Sequence, residues 1–231
     1  GVSLQLLLIG SILGAILGVV LGVWGAVRQY KLSDRVVTVL SYLVFATPTI
    51  VMAILLMILA TWLNNALGFQ LIRFTGQYSP GIPDEFWPQF WDRFVHLLLP
   101  TLVLMLGAAA SFSRYQRSAM LDVLGADYIR TARSKGRTRG SALVRHGVRV
   151  ALIPMSTFFA YSFGTLVAGS AILEIMFGWH GMGEWTINAV QQDDINSVAG
   201  TTLFVAVLIL CSSTLSEILY AYTSGTANNG S

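Results

Sequence analysis

The sequence predicts an all-α integral membrane protein with five transmembrane helices, and three observations carry that expectation. The 231-residue chain is 55% hydrophobic and 11% charged, with a mean hydropathy of +0.67, whereas soluble globular chains carry about 25% charged residues. Five stretches, 1–27, 36–72, 94–113, 150–173 and 195–216, hold no Asp, Glu, Lys or Arg. Each approaches or exceeds the roughly 20 residues that a helix needs to cross a bilayer. Twelve of the fourteen Lys and Arg residues fall in two alternate loops, 28–35 and 114–149.

The first helix is expected over 3–27. Residue 1 is Gly, and no basic region with a cleavage site precedes the apolar run, so no signal peptide is expected. Gly10, Gly14, Gly18 and Gly22 recur every four residues and share one helix face, where another backbone can approach closely. That face suits packing within this chain and packing against a partner chain equally.

The second helix is expected over 36–63, ending where "NNALG" supplies turn chemistry. Pro48 in "ATPTI" lies inside it. Pro100 opens the third helix, 95–113, and Pro154 the fourth, 150–173. A proline within a helix deletes one backbone hydrogen bond and kinks it. Such a kink fits a gating bend or a static shape. Between these helices, "QYSPGIPDEFWPQFWDRF" predicts a loop with a surface-lying helix. His96 is expected at the outer interface or a helix start.

The fifth helix is expected over 195–219. Its Ser197, Gly200, Thr201, Thr202, Ser212, Ser213 and Thr214 suit helix packing or a wet passage. Cys211 is expected as a small packing residue. The transmembrane core thus covers 1–222, and the polar tail 223–231 is expected to be disordered.

Charge sets the orientation. With alternating crossings, the two basic loops face one side, and the opposite side keeps Arg73 and Arg93 against seven acids. The positive-inside rule places 28–35 and 114–149 in the cytoplasm, and 64–93 and 174–194 outside.

The loop 114–149 has more order than a solvated cluster of cations needs. Leu121, Leu124, Tyr128 and Ala132 recur at helical spacing. Asp127 is a good N-cap, and Gly136 is the usual residue just past a helix end. Between them "YIRTARSK" predicts a two-turn helix whose acid and cations match the macrodipole. So short a helix is marginal alone in water, and Tyr128 and Ile129 aimed outward suit docking on a soluble partner. Simple attraction to anionic headgroups is the plainer alternative. Nucleic-acid binding is not expected, since no binding fold or stacking platform is visible.

"DYIRTARSKG", with Pro154 of "ALIP" eighteen residues after Gly136, resembles the cytoplasmic loop of binding-protein-dependent ABC importer permeases. "SYLVFATPT", "HLLLPTLVL" and "EIMFGWHGMGEW" narrow the likeness to the dipeptide and oligopeptide permeases. "GWHGMGEW" resembles mycobacterial oligopeptide importers. The general family pattern has Glu-Ala-Ala and then a Gly. Here Arg130, Thr131, Ala132 and Gly136 stand in those places, and Arg149 stands where a later proline falls, as in the peptide branch. His180 stands where many relatives have proline. Relatives also carry a further transmembrane helix and external segment ahead of this point, and often a short basic tail.

The resemblance implies a five-helix type I ABC importer core. Asp127, Tyr128, Ile129, Arg130, Thr131, Ala132, Arg133, Ser134, Lys135, Gly136 and Arg137 would form the coupling helix that docks in a cytoplasmic ATPase. The implied partners are a second permease subunit, two ATPases, an extracytoplasmic peptide-binding protein, the peptide and membrane lipid. The implied location is a bacterial cytoplasmic membrane.

The segment Phe177, Gly178, Trp179, His180, Gly181, Met182, Gly183, Glu184 and Trp185 sets three glycines among aromatic rings, which makes a tight turn. It is expected to be an external gate or binding-protein contact, or else an interfacial anchor through Trp179 and Trp185. Glu174 just before it is expected to be a hydrated interfacial acid, with a substrate-facing or salt-bridge role as the alternatives.

Catalytic chemistry is not expected. No G-x-x-x-x-G-K-[ST] phosphate loop exists, so ATP and Mg would bind to partner subunits and this chain would hold no cofactor. His96, His146 and His180 fall in or beside different loops, so no metal site is expected. The alternative reading is an ion-coupled secondary transporter or channel. Such proteins carry an ionisable residue deep in the membrane, and no span has one centrally.

Overall fold

The computed structural model describes residues 1–124 and 170–228. Among them all regular structure is helical: α1 Val2–Val27, α2 Leu32–Ala46, α3 Thr49–Leu67, α4 Phe86–Leu124, α5 over 170–177, α6 Met182–Gln191 and α7 Ile195–Asn228. Four of these, α1, α3, α4 and α7, are long and apolar enough to cross a membrane. Most of the expected fourth crossing, Pro154 included, lies outside the described residues, as does all of the expected coupling helix.

Several boundaries differ from expectation, each for a local reason. Pro48 does not kink one helix but separates two. Its ring pushes the preceding residue out of the helical region, and Pro48 itself is extended, with φ −55 and ψ 141, at the N-cap of α3. Pro100, by contrast, stays inside α4. At the other end, α3 runs through "NNAL" to Gly68, whose left-handed φ of +74 makes it the helix stop. Asn64 does serve the turn, but through its side chain, which donates to the carbonyl of Ile72 at 2.8 Å and accepts its N–H at 3.0 Å.

The expected surface helix is instead the start of α4. Pro88 sits in that first turn, where an N–H has no intrahelical acceptor and its loss costs little. At its far end α7 continues through residues 223–228, which were expected to be disordered. Nothing in "TSGTAN" removes an N–H, and each added residue extends an existing ladder without a new nucleation step.

The described residues form two compact units. The first holds 1–12, 47–107 and 170–207. Its core joins Leu6 of α1, Ala53 and Ala60 of α3, Leu97, Leu99, Val103 and Leu104 of α4, and Leu173, Phe177 and Trp179 from α5 onward. Gly10 belongs here: a Cβ on it would stand 2.6 Å from Cβ of Leu104.

The second unit holds 13–46, 108–124 and 208–228. Here Gly18 and Gly22 let α1 lie directly on α4. A Cβ on Gly18 would meet the Ala109 carbonyl oxygen at 2.8 Å, and one on Gly22 that of Ser113 at 2.7 Å. The two glycines meet Phe112 and Gln116 at one constant residue offset, so the two helices run parallel. In both units these glycines are occupied by packing within the chain. Gly14 of the same series is buried.

Candidate functional site

Glu174 on α5 organises the segment 177–185. It is fully buried, not a hydrated interfacial acid. Its Oε2 accepts the backbone N–H of Glu184 at 3.0 Å, and Ser3 Oγ on α1 accepts that of Met182 at 2.8 Å. These N–H groups belong to the first turn of α6, which no intrahelical carbonyl can serve. A carboxylate there also faces the positive end of the helix dipole. The second oxygen, Oε1, is buried without a hydrogen-bond partner.

The glycines make this contact possible. A Cβ on Gly181 would lie 2.6 Å from both Glu174 Oε2 and Ser3 Oγ. One on Gly183 would lie 2.6 Å from Cα of Ala171 and 2.9 Å from Glu174 Oε2. Gly178 serves differently, taking a left-handed φ of +65 in the turn out of α5. His180 also has positive φ, +36. It is exposed, with Nδ1 3.1 Å from Oε2 of Glu184.

The aromatic residues divide. Phe177 and Trp179 are fully buried in the core of the first unit, while Trp185 is exposed. The interfacial-anchor role therefore leaves Trp179 and stays open only for Trp185. Met182 and Trp185 line a groove of about 410 Å³ with Ser197, Gly200, Thr201 and Phe204.

The loop between α3 and α4 ties into the same segment. Gly76 donates its N–H to the Phe177 carbonyl at 2.7 Å, and Gln77 Nε2 to the Trp179 carbonyl at 2.9 Å. Arg93 of α4 places its guanidinium between two rings, 5.7 Å from Trp179 and 5.2 Å from Tyr78. It also donates to Gln5 of α1 at 2.8 Å. One planar cation thereby joins α1, the loop, α4 and the turn after α5.

Directly before Arg93 in α4, Asp92 gathers a second set. It accepts from Arg73 Nη1 at 2.7 Å and from the N–H and Oγ of Ser79 at 2.7 and 2.9 Å. His96, expected at an interface, is buried, with Nδ1 2.8 Å from the Asp92 carbonyl. Beside this hub opens a cavity of about 630 Å³ whose lining includes Thr61, Asn65, Gln70, Arg73 and His96. Amides, hydroxyls and a guanidinium along its wall suit a polar occupant better than a hydrocarbon one.

In the second unit the notable group is Asp34. Arg117 grips it through two bonds of 2.8 Å, Nε to Oδ1 and Nη2 to Oδ2. Tyr30 N–H adds a third bond at 3.1 Å. The Arg117 bonds hold the Asp34 carboxyl below the usual carboxylate range against an opposing push from burial. Gly25 leaves room for the pair, since a Cβ there would lie 3.0 Å from Oδ1. Nearby, Arg114 sits 3.7 Å over the ring of Phe45 and 5.3 Å from that of Tyr42. Cys211, expected in a packed position, is exposed.

Sequence reasoning placed interest on 177–185 but missed Ser3, Arg93 and Asp92, and it misjudged Glu174. The signal for Glu174 was present in the two glycines, seven and nine residues downstream. Two small residues, one at the N-cap and one in the first turn of a helix, mark a place that something approaches closely. Among the described residues no cluster of His, Cys, Asp and Glu could hold a metal ion.

Comparisons with known proteins converge. The family model described as "Binding-protein-dependent transport system inner membrane component" matches residues 18–225. An oligopeptide transport system permease protein OppB of Mycobacterium tuberculosis (strain ATCC 25618 / H37Rv) is 54% identical over 221 residues, covering 96% of this chain and 68% of the relative. The oligopeptide permease AppB of Bacillus subtilis (strain 168) is 34% identical over 221 residues, 95% of this chain and 66% of that one. The dipeptide permease DppB of Escherichia coli (strain K12) is 43% identical over 131 residues, 57% of this chain and 39% of that one. In three dimensions the chain is similar to one from inward-facing structures of the MetNI methionine ABC transporter. The TM-score is 0.70 at 15% identity, over 96% of this chain and 93% of the other, a likeness of fold.

Proposed function

Because the chain belongs to the family of binding-protein-dependent transport system inner membrane components, we propose that it is the transmembrane permease subunit of an ATP-driven importer of oligopeptides or dipeptides. It is a multi-pass protein of a bacterial cytoplasmic membrane. The observation that carries this reading is 54% identity sustained over 96% of the chain. Chance likeness between apolar helices does not extend through the polar loops as well.

In this reading the chain forms half of the translocation pathway, and a second permease forms the other half. Two cytoplasmic ATPases bind and hydrolyse ATP with Mg. An extracytoplasmic binding protein delivers the peptide. Residues 127–137 dock on an ATPase, so that closure of the ATPases on nucleotide switches the passage between inward and outward opening. The segment 177–185 lies on the external side, where a gate or a binding-protein contact is needed. Its fixed attachment to α1, α4 and the 68–85 loop favours a rigid-body gate over a flexible flap. A purely ion-driven mechanism gains nothing from the geometry, since Asp34, Asp92 and Glu174 are committed to structural bonds.

The test is uptake of a labelled oligopeptide by cells lacking the chain and by the same cells complemented with it. Purification of the assembled complex and mass measurement of its subunits accompany it. Uptake that needs the chain, ATP and a co-purifying ATPase is expected. Peptide uptake by this chain alone, driven by a proton or sodium gradient, would overturn the proposal.

A further inference from the structure

The first eleven residues of α4 reverse the polarity expected of a helix in water. Phe86, Trp87, Phe90, Trp91 and Phe94 share one face at helical spacing, and Trp87 and Trp91 are 74% and 65% exposed. The opposite face carries Asp92, Arg93 and His96, which are turned inward. Asp92 and His96 are buried, and Arg93 is engaged with Gln5 and Tyr78. The rings also stack on one another, Phe86 on Phe90 at 5.9 Å and Trp91 on Phe94 at 5.6 Å. Rings outside and charges inside is the arrangement for a medium less polar than water.

Length locates that medium. At 1.5 Å per residue the charge-free part of α4 from residue 95 to 113 spans about 28 Å, close to the roughly 30 Å of bilayer hydrocarbon. The aromatic turns therefore begin where the hydrocarbon ends. The same outward face continues inward through the exposed Leu98 and Leu102, so it is unbroken from ring to aliphatic. On α3 the exposed Trp62 stands near the helix end at Leu67, beside the polar Asn64 and Asn65. Tryptophan at the end of an apolar span is the usual mark of the membrane–water interface.

We infer that this face of α4 is a lipid-binding collar, seated in the headgroup and glycerol layer of the outer leaflet. Its occupant is phospholipid, not a protein partner. Through Arg93, on the other side of the same turns, the collar holds Trp179 and the 177–185 segment at a fixed depth. The inference stands on the membrane assignment and does not depend on what the protein transports.

Spin labels on single cysteines test it. Leu102, Leu98, Phe94, Trp91 and Trp87 are replaced one at a time by Cys in a Cys211→Ser background. The chain, purified with its native partners, is then placed in phosphatidylcholine vesicles. Collisions of each label with oxygen, which concentrates in lipid, are compared with collisions by a water-soluble nickel chelate. The expected result is a steady gradient: oxygen dominates at 102, and the ratio falls through 98, 94 and 91 to parity near 87. Low collision with both reagents from 87 to 94 would mean a protein covers the face, and nickel dominance at 91 and 94 would mean water does. Either outcome overturns the collar. The gradient is read across five sites, so loss of one variant to misfolding leaves it readable.

Discussion

Glu174 Oε2 lies 3.0 Å from the backbone nitrogen of Glu184, so a buried acid on one helix caps the next across a tight turn. Replacing Glu174 by Ala removes both the acceptor and the charge at the helix N-terminus, and is expected to cost about 2–3 kcal/mol. Glu174→Gln keeps an acceptor and should cost about 1 kcal/mol. Thermal unfolding of the purified chain in detergent measures both. Equal stability of the Ala variant and the parent would remove the capping role.

The glycines around that carboxylate differ in what they face, and so in their expected tolerance. An alanine at Gly183 meets backbone of Ala171, which cannot swing aside, so Gly183→Ala is expected to cost about 3 kcal/mol. Gly181→Ala meets the ends of the Glu174 and Ser3 side chains and should cost about 1–2 kcal/mol while breaking their bonds to α6. Gly200→Ala has open space around it and lies in α7, so it should be neutral or raise stability by up to about 1 kcal/mol. The ranking of the three in one unfolding series decides the matter.

Asp34 provides a pH dependence with a definite sign. Its folded carboxyl titrates below the ordinary value because Arg117 donates to both oxygens. The unfolded chain therefore binds its proton first as pH falls. The stabilisation is complete above the ordinary carboxylate value of about 3.9 and is lost as pH drops through the lower, folded value. Arg117→Leu strands the buried carboxylate and is expected to cost about 3 kcal/mol at neutral pH. Asp34→Asn should flatten the acid limb of the stability profile. An unchanged acid limb in Asp34→Asn would show that other carboxylates govern it.

The segment 127–137 has a functional prediction. Tyr128→Asp with Ile129→Asp, or Gly136→Leu, is expected to abolish peptide uptake at least tenfold, equivalent to about 1.4 kcal/mol or more of lost coupling. Membrane insertion and abundance should be unchanged. ATPase activity in the assembled complex, measured with and without peptide and binding protein, should lose its response. Normal uptake by these variants would exclude a docking role for the segment.

Much of the architecture could be read from one dimension. Charge-free runs located α1, α3, α4 and α7, because in a bilayer a helix must satisfy its own backbone and only apolar side chains remain cheap to expose. The break at Pro48 was read as a kink, because the sequence shows that a hydrogen bond is lost but not whether the chain restarts. The site was harder to see. Glu174 looked like an interfacial acid because nothing in its own neighbourhood announces Ser3, which is remote in the chain, as a fellow cap of the same helix turn.

Sequence alone determined that the protein is helical, crosses a membrane, gathers twelve of its fourteen cations in two alternate loops and belongs to a permease family. Those properties are sums over many residues or repeat every few positions, so they survive without coordinates. Only the tertiary structure decided that the α1 glycines serve contacts inside the chain, that Glu174 is a buried cap, and that Arg93 stands between Tyr78 and Trp179. Each of these is a meeting of residues far apart in the chain, and burial depends on what arrives from elsewhere.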